Sequence, residues 1–314
     1  MNLFDKIKWK KYQIPSSAAY GSLSLKIGVI GDSYPCASLI AGVHGDEGPW
    51  GALSIKNVLE TIQDDELVGT IKIVPVANPT AMEADSRVSP IDHLDLNRVF
   101  PGDLGGSHTQ RIAAIITKHV LDGSDYVFDI HGGGSWCVNS FAFRLKGSEN
   151  LVDAVNPPFI VESTKKPGTL TSYSLSNGAK VTAIEMGGRC QFENDWIIKL
   201  ANGLKRALKL TGVINSENLE SQNTQPQLVG PTKTLRSNKG GIFIPNIKEE
   251  TVGTIVRKGS ILGTLINPVT MDCEQIFKSP FEKTAVLLLR PRISVVEGGA
   301  MIYVVAPLTE VNKK

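Results

Sequence analysis

Three short motifs in this 314-residue chain carry side chains that can hold a metal or move a proton: His44-Gly-Asp-Glu47, His131-Gly-Gly133 and Glu185-Met-Gly-Gly188. His44 and Glu47 stand three residues apart. In a strand-to-helix turn that spacing aims an imidazole nitrogen and a carboxylate oxygen at one point. Two histidines and one glutamate, with a fourth position left for water, are a ligand set of catalytic zinc, and His131 supplies the third ligand. Zinc lowers the pKa of its water to roughly 7 and polarises a carbonyl. Glu185 is then a non-ligating general base that takes the water proton and returns it to a leaving amine. Each motif alone is weak. H-x-x-E is common, His131 also reads as a satisfied buried histidine, and Glu185 as an ion-pair partner. Their joint placement, each directly after an apolar run and beside glycine, favours the metal reading.

A fourth motif, Asp95-Leu-Asn-Arg98, adds an anion site. Arg98 offers a planar fork that suits a carboxylate, and Asn97 a neutral donor. Arg87 is a second fixed cation in the same segment, suited to a substrate carboxylate or to the oxyanion formed when water attacks. Taken alone, it reads equally well as half of a surface salt bridge.

The elements that must position these groups are legible as hydrophobic patterns. Short apolar runs at Leu25–Ile30, Ala37–Val43, Thr70–Ala77, Asp125–Ile130 and Val181–Ile184 predict strands. Three-and-four spacing predicts helices over Trp50–Ile62, Thr109–Leu121 and Asp195–Leu210. This alternation argues for an α/β layered domain with a largely parallel sheet. In such sheets ligands bind outside the carboxyl ends of the strands, where the motifs lie. The segment Thr80–Gly106 is long for a loop, and loops of that length are usually functional. Asn215–Gln227 is polar and reads as a linker. Beyond it, short β-like runs at Gly241–Pro245, Thr254–Arg257, Ile261–Ile266, Ala285–Leu289 and Met301–Ala306 suggest a small all-β domain. The expected organisation is a catalytic domain over 1–214, a linker over 215–230 and a β-rich domain over 231–314.

Together, His44-Gly-Asp-Glu47, Asp95-Leu-Asn-Arg98, Asp129-Ile-His131 and Ile184-Glu-Met-Gly187 resemble the succinylglutamate desuccinylase/aspartoacylase family of zinc carboxypeptidase-like hydrolases. The matched motifs occur in the family's order over about residues 37–188, and the β-rich region after Gln227 looks like that family's C-terminal domain. The resemblance implies a three-layer α/β/α carboxypeptidase-like sandwich with a mixed sheet, plus a small C-terminal all-β domain. It implies one Zn2+ per chain and hydrolysis of the amide in a small N-acyl amino acid or related amide. His44, Glu47 and His131 match the family's zinc ligands, and Glu185 its catalytic glutamate. Asn97 and Arg98 match its substrate-carboxylate binders, and Arg87, in looser register, an arginine upstream of them. The chain departs from the family at 166–184, where Tyr173 and Lys180 occur but no arginine. That speaks against acetylaspartate and succinylglutamate as substrates. The alternatives are a zinc carboxypeptidase acting on peptides and a catalytically silent binding protein of the same fold.

Composition narrows the partners. With 33 Lys+Arg against 31 Asp+Glu the net charge is +2, which gives no electrostatic footprint for nucleic acid. At 41% hydrophobic and 20% charged residues, a folded core is expected. No apolar run reaches the 18 or so residues of a membrane span. The start of the chain has no apolar signal region. The four cysteines, Cys36, Cys137, Cys190 and Cys273, form no C-x-x-C pair and read as reduced thiols of a cytoplasmic protein. His93, His108 and His119 read as loop or structural residues. The C-terminal region has a biotinyl/lipoyl-like texture, but Asn267–Cys273 holds no lysine to carry a cofactor, so it reads as structural. Homo-oligomerisation is left open.

Overall fold

The computed structural model describes residues 1–15, 23–221 and 224–309. Residues 222 and 223 of the expected linker, and 310–314 at the chain end, lie outside the described residues. Among the described residues, eight strands precede the polar stretch: β1 Lys8–Ile14, β2 Leu23–Ile30, β3 Cys36–Ala41, β4 Thr70–Val74, β5 Tyr126–His131, β6 Val138–Arg144, β7 Phe159–Glu162 and β8 Lys180–Gly188. The helices are α1 Gly48–Thr61, α2 Pro79–Glu83, α3 His108–Ile116, α4 Glu149–Val155, α5 Leu170–Ser176 and α6 Glu193–Leu210.

The sheet runs β1-β2-β4-β3-β5-β8-β6. Its centre, β4-β3-β5-β8, is parallel, while β1, β2 and β6 join antiparallel. The sheet is therefore mixed, and the three strands that end in the motifs, β3, β5 and β8, lie in its parallel centre. Two apolar layers sandwich it. On one face Ile55, Val58 and Leu59 of α1 and Leu200, Leu204 and Leu208 of α6 pack on Leu39, Phe128 and Ile184. On the other, Ile112 and Ile116 of α3 and Leu170 of α5 pack with Ile40, Val127 and Val181. Alternate residues of β3 and β5 thus face opposite layers, as a strand covered on both sides requires.

The predicted strands and the three long helices are present, with boundaries moved by a few residues. The predicted helix over Thr109–Leu121 is α3 followed by a wider, π-type turn over Thr117–Leu121. The end of the polar stretch is itself strand: β9 Gln227–Val229 lies parallel to β7.

The strands that follow are β10 Lys233–Arg236, β11 Gly241–Pro245, β12 Ile255–Arg257, β13 Ile261–Ile266, β14 Cys273–Lys278, β15 Lys283–Leu289, β16 Ser294–Val296 and β17 Met301–Pro307. Four form a separate sheet, β14-β13-β11-β16. β15, β17 and β10 extend the large sheet, because β15 hydrogen-bonds to β6 at Leu288↔Asn139 and Leu289↔Val138. The core of this region is Phe243, Leu262, Leu265, Phe277 and Tyr303. The Tyr303 hydroxyl donates to the Leu262 carbonyl at 2.6 Å. No helix among the described residues is long and apolar enough to cross a membrane.

One contact brings two helices of the same layer close together. Gly203 in α6 faces the end of α4, and a Cβ there would stand 2.3 Å from the Val155 carbonyl oxygen. Gly203→Ala gains about 1 kcal/mol of helix propensity but must push two helices apart, an overpacking cost of about 1–3 kcal/mol. A melting temperature lowered by about 2–6 °C in calorimetry is expected. An unchanged or raised value would refute this close approach.

Candidate metal centre and active-site pocket

β3, β5 and β8 lie side by side, so their carboxyl ends share one edge of the sheet. His44 follows β3, His131 is the last residue of β5, and Glu185 stands opposite His131 in the β5/β8 register. Glu47 reaches the same point from the 3-10 turn Gly45–Glu47 that leads into α1. His44 Nδ1 lies 3.0 Å and His131 Nδ1 2.9 Å from the same oxygen, Oε2 of Glu47. One ligand atom from each of the three residues lies within 4.8 Å of the other two.

Each imidazole has its other nitrogen against a carboxylate. His44 Nε2 is 3.1 Å from Asp95 Oδ1, and His131 Nε2 is 3.0 Å from Asp129 Oδ1. The Asp129 contact is close but poorly aligned, and both its oxygens are fully buried without a well-formed hydrogen bond. A carboxylate behind each metal-ligating histidine fixes the tautomer and raises ligand basicity. Here it commits the Nδ1 atoms to the centre.

The electrostatics follow from this arrangement. Burial alone would push the Glu47 carboxyl up, but the charge of His44 and hydrogen bonds from both histidines hold it far below the usual carboxylate range. Burial works against the charged form of His44 and His131, yet the surrounding carboxylates raise both, His131 strongly. Burial likewise opposes ionisation of Asp95, and its contact with His44 overcomes this and lowers it. Glu185 is the opposite case: burial pushes its carboxyl up to about 7, against the pull of His131.

The donor set fits zinc. Two imidazole nitrogens and one carboxylate oxygen are its preferred ligands, and donors of a four-coordinate zinc stand about 3.3 Å apart. The two nitrogen–oxygen separations, 3.0 and 2.9 Å, are close to that value.

His44, His131 and Glu185 line a cavity of about 180 Å³, together with Arg87, Asn97 and Arg98. Glu47 sits behind the two histidines. The structure thus brings all seven sequence-predicted residues to one place, though not all are equally free. Asn97 Oδ1 accepts from the Leu170 backbone N–H at 2.9 Å, while its Nδ2 stands 3.4 Å from His131 Nε2. Arg98 donates to the Asn97 carbonyl at 2.7 Å and is otherwise exposed at the cavity. Arg87 is committed to acids, 3.0 Å from Asp95 Oδ2 and 3.5 Å from Glu47 Oε1.

Several contributors escape the sequence reading. Asp95 and Asp129 lie inside the quoted motifs but have no visible role until their imidazole partners are known. Ser163, Thr164, Lys166 and Thr169, from the segment between β7 and α5, with Thr171 in the first turn of α5, form one wall of the cavity. That wall is clamped to the Asn97–Phe100 segment. Gly168 at φ +81° accepts on its carbonyl from the Phe100 N–H at 3.0 Å, and a Cβ there would stand 2.4 Å from the Arg98 oxygen. A polar Pro-Gly stretch directly after a strand is the signal that could have found it. Tyr173 and Lys180 point elsewhere: Tyr173 donates to Asp122 at 2.8 Å, and Lys180 lies over the Tyr126 ring at the far end of β8. His108 is buried against Thr80, and His119 stacks on Tyr12.

Comparison with known proteins gives the family and the fold. Residues 34–211 match the family described as succinylglutamate desuccinylase/aspartoacylase catalytic domain. The N-alpha-acetyl-L-2,4-diaminobutyric acid deacetylase of Halomonas elongata is 37% identical over 119 residues, which is 37% of this chain and 34% of that protein. The match thus spans about a third of that relative's length. Among solved structures, a succinylglutamate desuccinylase from Silicibacter superposes with a TM-score of 0.82 at 23% identity, covering 96% of this chain and 95% of that one. The product-bound ectoine utilization protein EutE (DoeB) of Ruegeria pomeroyi gives 0.80 at 24% identity, again over 96% and 95%. At these identities the structures speak for the fold.

The outer carboxylates make a prediction. Asp129→Asn keeps shape but removes the charge behind His131. Zinc affinity, measured by competition with a chromogenic chelator, is expected to fall about 10- to 100-fold. Unchanged affinity would mean that Asp129 is not part of a metal centre.

Proposed function

Because the chain belongs to the succinylglutamate desuccinylase/aspartoacylase family, we propose that it is a zinc-dependent deacylase that hydrolyses the amide bond of a small N-acyl amino acid or related amide. The observation that carries this reading is the meeting, across one cavity of about 180 Å³, of the His44, Glu47 and His131 donor atoms with the Glu185 carboxylate. The deacetylase of Halomonas elongata, by its name, acts on an N-acetylated amino acid, which supports the substrate class.

In this reading His44, Glu47 and His131 hold one zinc, which supplies Lewis acidity that polarises the amide carbonyl and makes water nucleophilic near neutral pH. The chain's own residues do the rest. Arg98, with Asn97 Nδ2, takes the substrate carboxylate at the cavity wall and fixes the amide over Glu185. Glu185 accepts a proton from the attacking water and delivers it to the amide nitrogen as the C–N bond breaks. A carboxyl raised toward neutrality suits both halves of that transfer, since it binds and releases a proton at working pH. Arg87, held by Asp95 and Glu47, keeps positive charge beside the site where the oxyanion develops.

A silent binding protein would have no use for a half-buried glutamate facing a metal centre. The reading includes a cytoplasmic location, which the four unpaired thiols support.

Glu185→Gln is expected to lower kcat about 10²- to 10⁴-fold with one zinc per chain retained. Dialysis against a chelator is expected to abolish hydrolysis, and added zinc to restore it. Protein that stays metal-free with zinc available, or full activity of the glutamine variant, would overturn the reading. Release of C-terminal residues from a peptide panel would favour a carboxypeptidase.

The base acts deprotonated, so kcat/KM is expected to fall as pH drops through the Glu185 pKa. A bound cation pulls that pKa down, so a pH–rate profile should show an acid limb with its midpoint at or below about 7. A profile flat through that range would exclude Glu185 as the base.

A further inference from the structure

We infer that Asn139 is the positioning residue that holds the Glu185 carboxylate in its reactive orientation and ties it to the strand end carrying His131. The inference rests on the reading of Glu185 as the base. Asn139 lies on β6, opposite Gly187 of β8, two positions beyond Glu185. Its side chain is buried, so its polar atoms need partners within the protein. Nδ2 donates to Glu185 Oε2 at 2.8 Å and to the Gly132 carbonyl at 3.1 Å. Both amide protons are thereby used. Both partners are acceptors, so the orientation of the amide is fixed: a flipped group would set its oxygen against two others. On the far side the Cys137 thiol lies 3.8 Å from Asn139 Oδ1 and donates to the Gly133 carbonyl at 2.7 Å.

This geometry has two consequences. Among the described residues, Asn139 is the one donor that reaches the Glu185 carboxylate, so Oε1 is left for the cavity. A two-oxygen base with one oxygen held can present the other at a set distance, and misplacement of about 1 Å is costly in rate. Second, Gly132 directly follows His131, so one amide group spans the last residue of the metal-ligating strand and the base. Asn139 thereby fixes the spacing between the metal centre and the proton acceptor without touching substrate.

The two arms of the amide separate in experiment. The pairing of β5 with β8 at His131 and Glu185 still holds the His131 end when the Gly132 arm is lost, so zinc binding should survive. Loss of the Glu185 arm would show in the chemical step. Asn139→Asp keeps the shape but puts an acceptor where both partners need a donor, and Asn139→Ala removes the group. For both, kcat on an N-acyl amino acid that the wild type hydrolyses is expected to fall about 10- to 100-fold. KM is expected to stay within about threefold, and zinc content at one per chain.

Crystal structures of the wild type and variants give a readout independent of activity. Glu185 Oε2 should sit against Asn139 in the wild type and leave that position in the variants. If the alanine variant fails to fold, the isosteric aspartate variant carries the test. An unmoved Glu185 carboxylate, an unchanged kcat, or a loss of activity explained by lost zinc would overturn the proposal. A wild type that hydrolyses nothing would overturn the deacylase reading, while the position of Glu185 in the variant crystals would still decide the role of Asn139.

Discussion

One carboxylate oxygen organises this protein. Glu47 Oε2 receives both His44 and His131 at about 3 Å, in a place where all three side chains are nearly shut off from water. Ionic groups in such a place hold together only where charge and hydrogen bonding are both matched. The match comes from outside the triad: Asp95 behind one imidazole, Asp129 behind the other, and Arg87 across Asp95 and Glu47. The cluster is therefore a layered alternation of acid and base, and the order of its layers decides which atoms face inward. Reversing either imidazole would turn Nδ1 away from the centre and undo the ligand set.

That arrangement constrains the fold more than it first suggests. The inward atoms and the Glu185 carboxylate come from the ends of three strands adjacent in space and distant in sequence, which the parallel centre of the sheet delivers. β3, β5 and β8 run the same way, so their chain ends meet at one edge, while β6 returns antiparallel beside β8 and brings Asn139 back to Glu185. A sheet parallel throughout would carry β6 toward the edge with its residues in the opposite order. The mixed topology is thus part of how the site is built.

The sequence told most where chemistry and hydrophobic pattern coincide. The ends of the β3, β5 and β8 strands are abrupt changes from apolar residues to His or Glu plus glycine, and these were legible because nothing local explains a buried charge at such a place. The sheet's outer strands were less so. β1, Lys8–Ile14, is an edge strand whose exposed, lysine-rich sequence hides its pairing. The short β7 and the helices α4 and α5 were also outside the pattern reading, since four to seven residues give periodicity too little length to register. Asp129 and Asn139 illustrate a different gap. Each is a polar residue within an apolar strand, and its meaning depends on a tertiary setting: for Asp129 the inward turn of His131 two residues on, for Asn139 the Glu185 carboxylate on the adjacent strand β8. Lys166 and its neighbouring hydroxyls belong to a loop whose place is set by Gly168 packing on Arg98, a tertiary contact.

The C-terminal strands take on a role that their sequence texture did not suggest. β15 is hydrogen-bonded to β6 where Asn139 lies, so the strand that supports Glu185 is itself supported from the C-terminal side. The Arg290 guanidinium, one residue past β15, lies 4.5 Å over the ring of Trp136, in the loop that joins His131 to β6. Strand pairing on one side of β6 and a cation–π contact on the loop before it hold the same short segment, residues 132–139, from two directions. This segment carries the backbone carbonyl and the amide that set the distance between metal centre and base. A region that contributes none of the seven predicted site residues thereby helps determine their geometry, through the rigidity of the strand next to them.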